Sequence, residues 1–165
     1  MSEQEKTIIN ADVSLLPDET DFYKSIADLI RKARRELEKS VNTVMVLTHY
    51  EIGKRIIEKE QGGEKRAQYG KRILQDLSDY LTAELGGGFS VDNLKLMRKF
   101  YTVYSELQKG ESPIPQFSPN ISWTHYIQLM RIKDSGERGF YENEITNNNW
   151  SIREFQRQYN FIPGD

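Results

Sequence analysis

The sequence of 165 residues contains no cysteine, which excludes disulfides and thiolate metal sites. It has no apolar run close to the roughly 20 residues that a membrane-spanning helix needs. It also has no apolar segment behind a basic start that would mark a secretion signal. Alternating apolar and polar positions of useful length are missing, so few or no strands are expected. We therefore predict an all-α, cytoplasmic protein that does not associate with membranes.

The common catalytic patterns are missing as well. The two histidines, His49 and His125, fall on different predicted helices with no carboxylate cluster at ligand spacing, so no metal site is predicted. The triple glycine Gly86–Gly88 lacks the Lys-Ser/Thr of a phosphate-binding loop, and no serine stands in a nucleophile elbow. No lysine is preceded two residues earlier by an acid, as a PD-(D/E)xK nuclease requires. The sequence predicts no enzyme, no catalytic residue and no cofactor.

Apolar residues at steps of three and four predict a chain of helices. Three of the five prolines fall within residues 110–120, which therefore form a surface connection. We predict a flexible tail over residues 1–19, a single helical domain over 20–160 and a truncated end over 161–165. The domain contains a long helix at 20–61, a helical hairpin at 69–109 and C-terminal helices at 121–159.

The first predicted helix is unusually long for a chain of this size. Its apolar residues recur from Phe22 to Ile56 with no proline and with Gly53 as the only glycine. Two forms remain open, a continuous helix or a pair with a bend near Asn42 or Gly53. Two uses of the apolar stripe also remain open, since it can pack against another copy or another domain, or fold into its own core.

The hairpin consists of two amphipathic helices joined by glycines. In the first helix, one face is predicted to be buried, and it comprises Tyr69, Ile73, Leu74, Leu77, Tyr80, Leu81 and Leu85. The glycines can take left-handed backbone angles and stop this helix. Ser90 is the expected N-cap of the second helix, and Asn93 falls on the apolar side, where it tightens the turn. The arrangement resembles a helix-turn-helix, whose second helix enters the major groove of DNA.

The second helix of the hairpin carries its cations opposite its apolar face. Residues 61–110 hold 8 basic and 6 acidic side chains, whereas the segments on either side are each net negative. A cationic helix edge is a typical contact for a polyanion, although a solvated charged face is the ordinary alternative. The predicted nucleic-acid contacts are Lys71, Arg72, Ser90, Lys95, Arg98, Lys99 and Thr102.

The C-terminal segment is predicted to contain three further helices. Ser122 caps a helix over Trp123–Lys133, and a second helix lies between Gly136 and Asn147. Ser151 and Glu154 have the spacing of a capping box that starts the last one. The large aromatic residues of this segment are expected in the core rather than stacked on bases.

Four segments together resemble a known family. They are HYEIGKRI at 49–56, YGKRILQDLSDYLTAELGGGFSVDNLKLMRKFY at 69–101, ISWTHYIQLMRI at 121–132 and ERGFYENEITNNNWSIREFQRQ at 137–158. In this order and approximate spacing they resemble the N-terminal domain of the YhcG family of bacterial proteins, formerly a domain of unknown function. The resemblance covers residues 20–158. It implies a helical, helix-turn-helix-like DNA-binding domain that precedes a PD-(D/E)xK nuclease domain, often near restriction–modification genes.

The sequence departs from the family pattern in two places. Leu85-Gly86-Gly87 replaces a Phe-Gly or Leu-Gly followed by one other residue, which is a minor change. The chain also ends at Asp165, where the family continues into the nuclease, so we expect an isolated domain or a truncated form that cannot cut by that mechanism.

The sequence therefore predicts a non-catalytic module that binds double-stranded DNA and targets a nuclease. The alternative is a protein–protein module that dimerises through the long helix or docks a nuclease or restriction–modification subunit. The apolar stripe from Phe22 to Ile56 is the feature that favours this alternative.

Overall fold

In the computed structural model, the described residues are 17–62, 66–106 and 116–160. They form helices only, without a strand in these ranges, which confirms the predicted all-α class. The six helices are α1 (Pro17–Gln61), α2 (Arg66–Leu85), α3 (Val91–Ser105), α4 (Trp123–Leu129), α5 (Ser135–Asn148) and α6 (Ile152–Tyr159). None of these helices is both long enough and apolar enough to cross a membrane.

Helix α1 is one unbroken helix of 45 residues, which is the continuous form of the two that the sequence leaves open. It begins at Pro17, inside the stretch for which a tail was predicted, and a proline is well tolerated in the first turn because its missing N–H has no intrahelical partner there. The rest of the predicted tail, residues 1–16, lies outside the described residues. The chain falls into two compact units, one ending at Ser40 and one beginning at Val41.

The main core of the second unit is built around the ring of Phe100 on α3. Phe100 is fully buried, and its ring centroid lies 4.9–6.0 Å from five other aromatic rings. These rings belong to Tyr50, Tyr104, Phe117, Trp123 and Tyr126. Tilted and edge-on contacts of this kind add stability beyond the burial of apolar area. The predicted core role of Trp123 and Tyr126 is thereby confirmed, whereas Phe140, for which the same role was predicted, is 56% exposed.

A second cluster joins α1, α2 and α3 through Ile56, Leu74, Leu94 and Met97. Beside it, the backbones of α1 and α3 approach very closely at Gly53. A Cβ atom on Gly53 would lie 2.1 Å from the backbone oxygen of Met97 and 3.0 Å from the Cβ of Tyr101. Only glycine fits at this crossing, so Gly53 fixes how near α3 lies to α1.

The buried face of α2 differs from the predicted one at two residues. Leu74 is buried, and Ile73, Leu77 and Leu81 are half-buried, as expected. Tyr80 and Leu85 are instead exposed, at 64% and 68%. Tyr80 lies at the edge of the apolar arc, about 100° of helix rotation away from Leu81. Leu85 is the last residue of the helix. The predicted buried face was therefore too wide by these two residues.

The C-terminal helices follow local capping rules, with one boundary predicted wrongly. Helix α4 ends at Leu129 and not at Lys133, because the amides of Arg131 and Ile132 bond three residues back and tighten the chain into a turn. This turn leaves Ile132 buried in the core. Asp134 caps α5 by accepting the amide of Glu137.

Helix α6 begins at the N-cap that the sequence predicts. The side chain of Ser151 accepts the amide N–H of Glu154, as the capping-box spacing indicates. The carboxylate of Glu154 is occupied on its own helix, where it pairs with Arg157 and accepts a hydrogen bond from Gln158. Helices α5 and α6 both end at an asparagine with left-handed backbone angles, Asn149 and Asn160.

His125 connects α4 to the turn between α5 and α6. Its Nε2 lies 2.9 Å from the backbone oxygen of Trp150, and its Nδ1 accepts the amide N–H of Ser122 at 3.1 Å. A neutral ring with its proton on Nε2 satisfies both bonds. Burial lowers the pKa of His125, and the bond to the Trp150 carbonyl offsets part of this shift. The residue is therefore a neutral structural element of the core.

Replacing Gly53 with alanine should destabilise the second unit by at least about 1–3 kcal/mol, the usual cost of overpacking a close contact. The reason is the clash of the new Cβ with the Met97 carbonyl. Urea unfolding followed by circular dichroism measures the loss. Gly139→Ala is the matched control, since its Cβ would meet no atom within 4 Å in α5, and it should raise stability by up to about 1 kcal/mol. Equal effects of the two substitutions would contradict this account.

The stability of the protein should fall as His125 becomes protonated. Because burial holds its pKa below the ordinary 6.5, the unfolded chain binds the proton more readily than the folded chain. The stability that the neutral His125 contributes is therefore complete above pH 6.5, and it is lost as the pH falls through the pKa of the folded protein. Between about pH 7.5 and about pH 5.5, the unfolding free energy of the wild type should drop more steeply than that of His125→Gln.

Burial also lowers the pKa of His49 and raises the pKa of Glu142. Both groups are present in the wild type and in His125→Gln, so their effect on stability cancels when the two proteins are compared. Parallel pH profiles for the wild type and His125→Gln, measured by urea unfolding, would show that His125 carries no such linkage.

Candidate nucleic-acid interface

The turn between α2 and α3 is formed by glycines in backbone conformations that other residues rarely adopt. Gly86 and Gly88 have φ angles of 88° and 104°. Ser90 then caps α3 by accepting the amide of Asn93 at 3.2 Å, which confirms the predicted N-cap. The side-chain amide of Asn93 donates to the Gly88 carbonyl at 3.2 Å. Asn93 therefore closes the turn, as predicted, and its side chain is occupied there.

Helix α3 is buried on one side and cationic on the other. Leu94, Met97, Phe100 and Tyr104 form the buried side. Lys95, Lys99 and Thr102 are exposed on the opposite side, and the Thr102 hydroxyl donates to the backbone oxygen of Arg98 at 3.0 Å. The two lysines form no ion pair with any of the described residues. Their ammonium groups are therefore available to a ligand in solution.

A groove of about 830 Å³ lies where α2, the first turns of α3 and the end of α1 meet. Four of the predicted contact residues line it together, namely Lys71, Arg72, Lys95 and Arg98. Lys71 and Arg72 are exposed on α2, and the Arg72 guanidinium lies 5.5 Å from the centre of the Tyr69 ring. The remaining lining residues are Glu60, Gln68, Gly70, Leu74, Gln75, Asp76 and Val91.

Arg98 differs from the other cations of the groove because it is already paired. Its Nη1 donates to Oε1 of Glu60, at the end of α1, over 2.5 Å. The two side chains are 30% and 19% exposed, so the pair is partly shielded from water. A carbon added to Gly70 would lie 3.2 Å from the same Glu60 oxygen, so Glu60 packs directly on the backbone of α2. This ion pair holds the C-terminal end of α1 against the middle of α3.

The charge of the groove is positive by a small margin. Four cations and two carboxylates, Glu60 and Asp76, line it, which gives a balance of two positive charges. Asp92 stands in the first turn of α3, where an acid is favourable next to the helix N-terminus. The cationic edge is therefore short, and it is flanked by an acid at the start of α3.

The structure brings together some of the predicted contact residues and separates others. Lys71, Arg72, Lys95 and Arg98 share the groove, whereas Ser90, Lys99 and Thr102 do not line it. Ser90 is occupied as a cap, and Lys99 and Thr102 continue the exposed edge along α3. Sequence reasoning missed Glu60. Nothing in the pattern of single residues marks a partner 38 positions away from Arg98.

Two comparisons with known proteins match most of this chain. The model of the DUF1016 N-terminal domain matches residues 25–161. A protein of Escherichia coli (strain K12) named "Putative nuclease YhcG" is 34% identical over 174 residues, which cover 88% of this chain and 46% of that protein. The chain thus spans about half the length of this relative. No solved structure matches.

Replacing Ser90 with alanine should destabilise the second unit by about 1 kcal/mol, the usual value of a lost N-cap. The reason is that the amide of Asn93 loses its acceptor. Ser90→Asp is the matched variant, because aspartate also caps a helix and its charge suits the helix N-terminus. Thermal unfolding should therefore rank Ser90→Asp near the wild type and Ser90→Ala below both. Equal stabilities of all three proteins would show that the cap contributes nothing.

Proposed function

Because the chain belongs to the DUF1016 N-terminal domain family, we propose that it is a cytoplasmic, non-catalytic module that binds double-stranded DNA on behalf of a nuclease. The name of the Escherichia coli relative refers to a nuclease, an enzyme whose substrate is nucleic acid. A helical domain of such a protein can hold that substrate without cutting it. The observation that carries the proposal is the set of exposed cations, in the groove and on α3, that form no ion pair with a described residue, namely Lys71, Arg72, Lys95 and Lys99.

The chemistry of these side chains favours contact with phosphates over reading of bases. Lys71, Lys95 and Lys99 are flexible point charges, which neutralise phosphates but select no base by a two-point contact. Arg72 adds a guanidinium beside the Tyr69 ring. Asn93, the residue best suited by type to read an adenine, is occupied in the turn. We expect DNA binding of low sequence specificity.

The remaining predicted contacts have supporting roles in this proposal. Arg98 reaches a phosphate only where the phosphate displaces the Glu60 carboxylate. The hydroxyl of Ser90 caps α3, so this residue acts by holding the turn in place. Thr102 is an exposed hydroxyl next to Lys99, within the same edge. Four freely available cations predict a slope of roughly −3 to −4 for the logarithm of affinity against the logarithm of salt concentration.

The double variant Lys71→Gln/Lys95→Gln should bind duplex DNA more weakly and with a smaller salt dependence. Both lysines line the groove and are exposed, so their removal should leave the fold intact. The salt slope should become shallower by about 2, one for each lost phosphate contact. Fluorescence anisotropy with a labelled duplex at several salt concentrations gives both quantities.

The matched control removes the same amount of charge elsewhere in the second unit. Lys133→Gln/Arg153→Gln alters two exposed cations outside the groove and should bind DNA like the wild type. An equal loss of affinity in both double variants would mean that binding follows net charge alone. An absence of DNA binding by the wild type at low salt would refute the proposal.

A second candidate function is the docking of a protein, either a nuclease or a restriction–modification subunit. The observation that favours it is the exposed apolar surface of α1. Among the described residues, nine of the twelve exposed large hydrophobic side chains lie on this helix. Contiguous apolar surface of this kind marks an interaction site more often than a bare solvent face.

A further inference from the structure

The acid that pairs with Arg98 in the groove gains little from its own helix. Glu60 is the second-last residue of α1, where the free backbone carbonyls of the last turn make a negative charge unfavourable. Its Oε1 instead accepts a hydrogen bond from Nη1 of Arg98, on α3, over 2.5 Å. The position of Glu60 is therefore explained by its contact across the groove and not by the stability of α1.

The Glu60 side chain also lies directly against the backbone of α2. A Cβ atom on Gly70 would lie 3.2 Å from Oε1 of Glu60, which is closer than most such contacts in proteins. Glycine is a poor helix former, yet it stands here inside α2. The carboxylate therefore occupies a space that the glycine leaves open, and it reaches Arg98 from within the groove that both residues line.

The ion pair removes one cation from those that the groove can offer to a phosphate. The other three cations of the groove form no ion pair with a described residue, and they are Lys71, Arg72 and Lys95. A guanidinium binds a carboxylate and a phosphate in the same way, because both anions can accept two parallel N–H groups. The carboxylate of Glu60 therefore takes the place on Arg98 that a phosphate would take.

We propose that Glu60 is an internal competitor of the DNA phosphate, which keeps Arg98 out of the DNA contact and so limits the affinity of the groove. This inference rests on the proposed function, because it concerns the same phosphate contacts. The fold holds the carboxylate next to Arg98 at a high effective concentration, whereas a phosphate must arrive from solution. The pair is also partly shielded from water, so salt screens it less than it screens the exposed lysines. DNA that binds through Lys71 and Lys95 therefore meets an Arg98 that is already neutralised.

Glu60→Gln removes the competing charge and leaves the shape of the side chain. Glutamine keeps an oxygen that can accept a hydrogen bond from Arg98, but it no longer neutralises the guanidinium. The freed Arg98 should add one phosphate contact, so the salt slope with duplex DNA should steepen by about 1. At a slope of about −0.9 per phosphate, the affinity at about 0.1 M salt should rise by up to about eightfold. Fluorescence anisotropy with a labelled duplex at several salt concentrations measures both quantities.

Asp76→Asn is the matched control for the loss of a negative charge. Asp76 lines the same groove, is exposed and forms no ion pair with a described residue. Its removal releases no cation, so the affinity should rise less than in Glu60→Gln and the salt slope should stay that of the wild type. Equal slopes for Glu60→Gln and Asp76→Asn would overturn the proposal, because Glu60 would then act like any other acid of the groove.

Arg98→Gln shows whether Arg98 contacts a phosphate while Glu60 is present. Alone, this substitution should leave the salt slope unchanged, and combined with Glu60→Gln it should return the slope to the wild-type value. A slope that is shallower by about 1 in Arg98→Gln alone would show that Arg98 binds phosphate beside Glu60, which contradicts the proposal. Circular dichroism checks the fold of each variant. If Arg98→Gln does not fold, the comparison of Glu60→Gln with Asp76→Asn still decides.

The failure of this inference can be told apart from the failure of the proposed function. An absence of binding to duplex DNA by the wild type and by Glu60→Gln at low salt would refute the proposed function, and the competitor role of Glu60 with it. DNA binding that weakens in Lys71→Gln/Lys95→Gln, together with a wild-type slope in Glu60→Gln, would overturn the competitor role alone.

Discussion

The close contact between the backbones of α1 and α3 at Gly53 is the constraint on which the second unit depends. With no side chain at Gly53, the carbonyl of Met97 occupies the space that a Cβ would need. This contact sets α3 against α1, with Phe100 among the surrounding rings on one side of the crossing and Met97 in the smaller cluster on the other. The side of α3 that faces away from α1 is then the side with Lys95 and Lys99. The cationic edge is thus positioned by the packing of the opposite face.

The features that local sequence determines could be predicted, because their causes lie within a few residues. The glycine turn, the Ser90 cap and the inward role of Asn93 each involve partners at most five residues apart. The same holds for the Ser151 cap of α6. Helical periodicity also identified the buried side of α3, since its apolar residues occupy a continuous arc. The all-α class and the order of the helices follow from these local signals.

The features that depend on distant contacts could not be predicted from the sequence. Arg98 looks like any other cation on a helical wheel, and only the fold shows that Glu60 neutralises it. The wheel also assigned Tyr80 to the buried face, although the structure leaves it 64% exposed. Lys71 and Lys95 are 24 positions apart, and their common groove arises only when α2 folds back on α3. Fewer cations are therefore available to contact a ligand than the sequence alone predicts.

The placement of the cations matters more than the charge of the whole chain. The groove carries a margin of only two positive charges in a chain whose net charge is −2, so it offers few phosphate contacts. A polyanion that binds here is therefore attracted by the local set of Lys71, Arg72 and Lys95, which only the packing of α2 against α3 brings together.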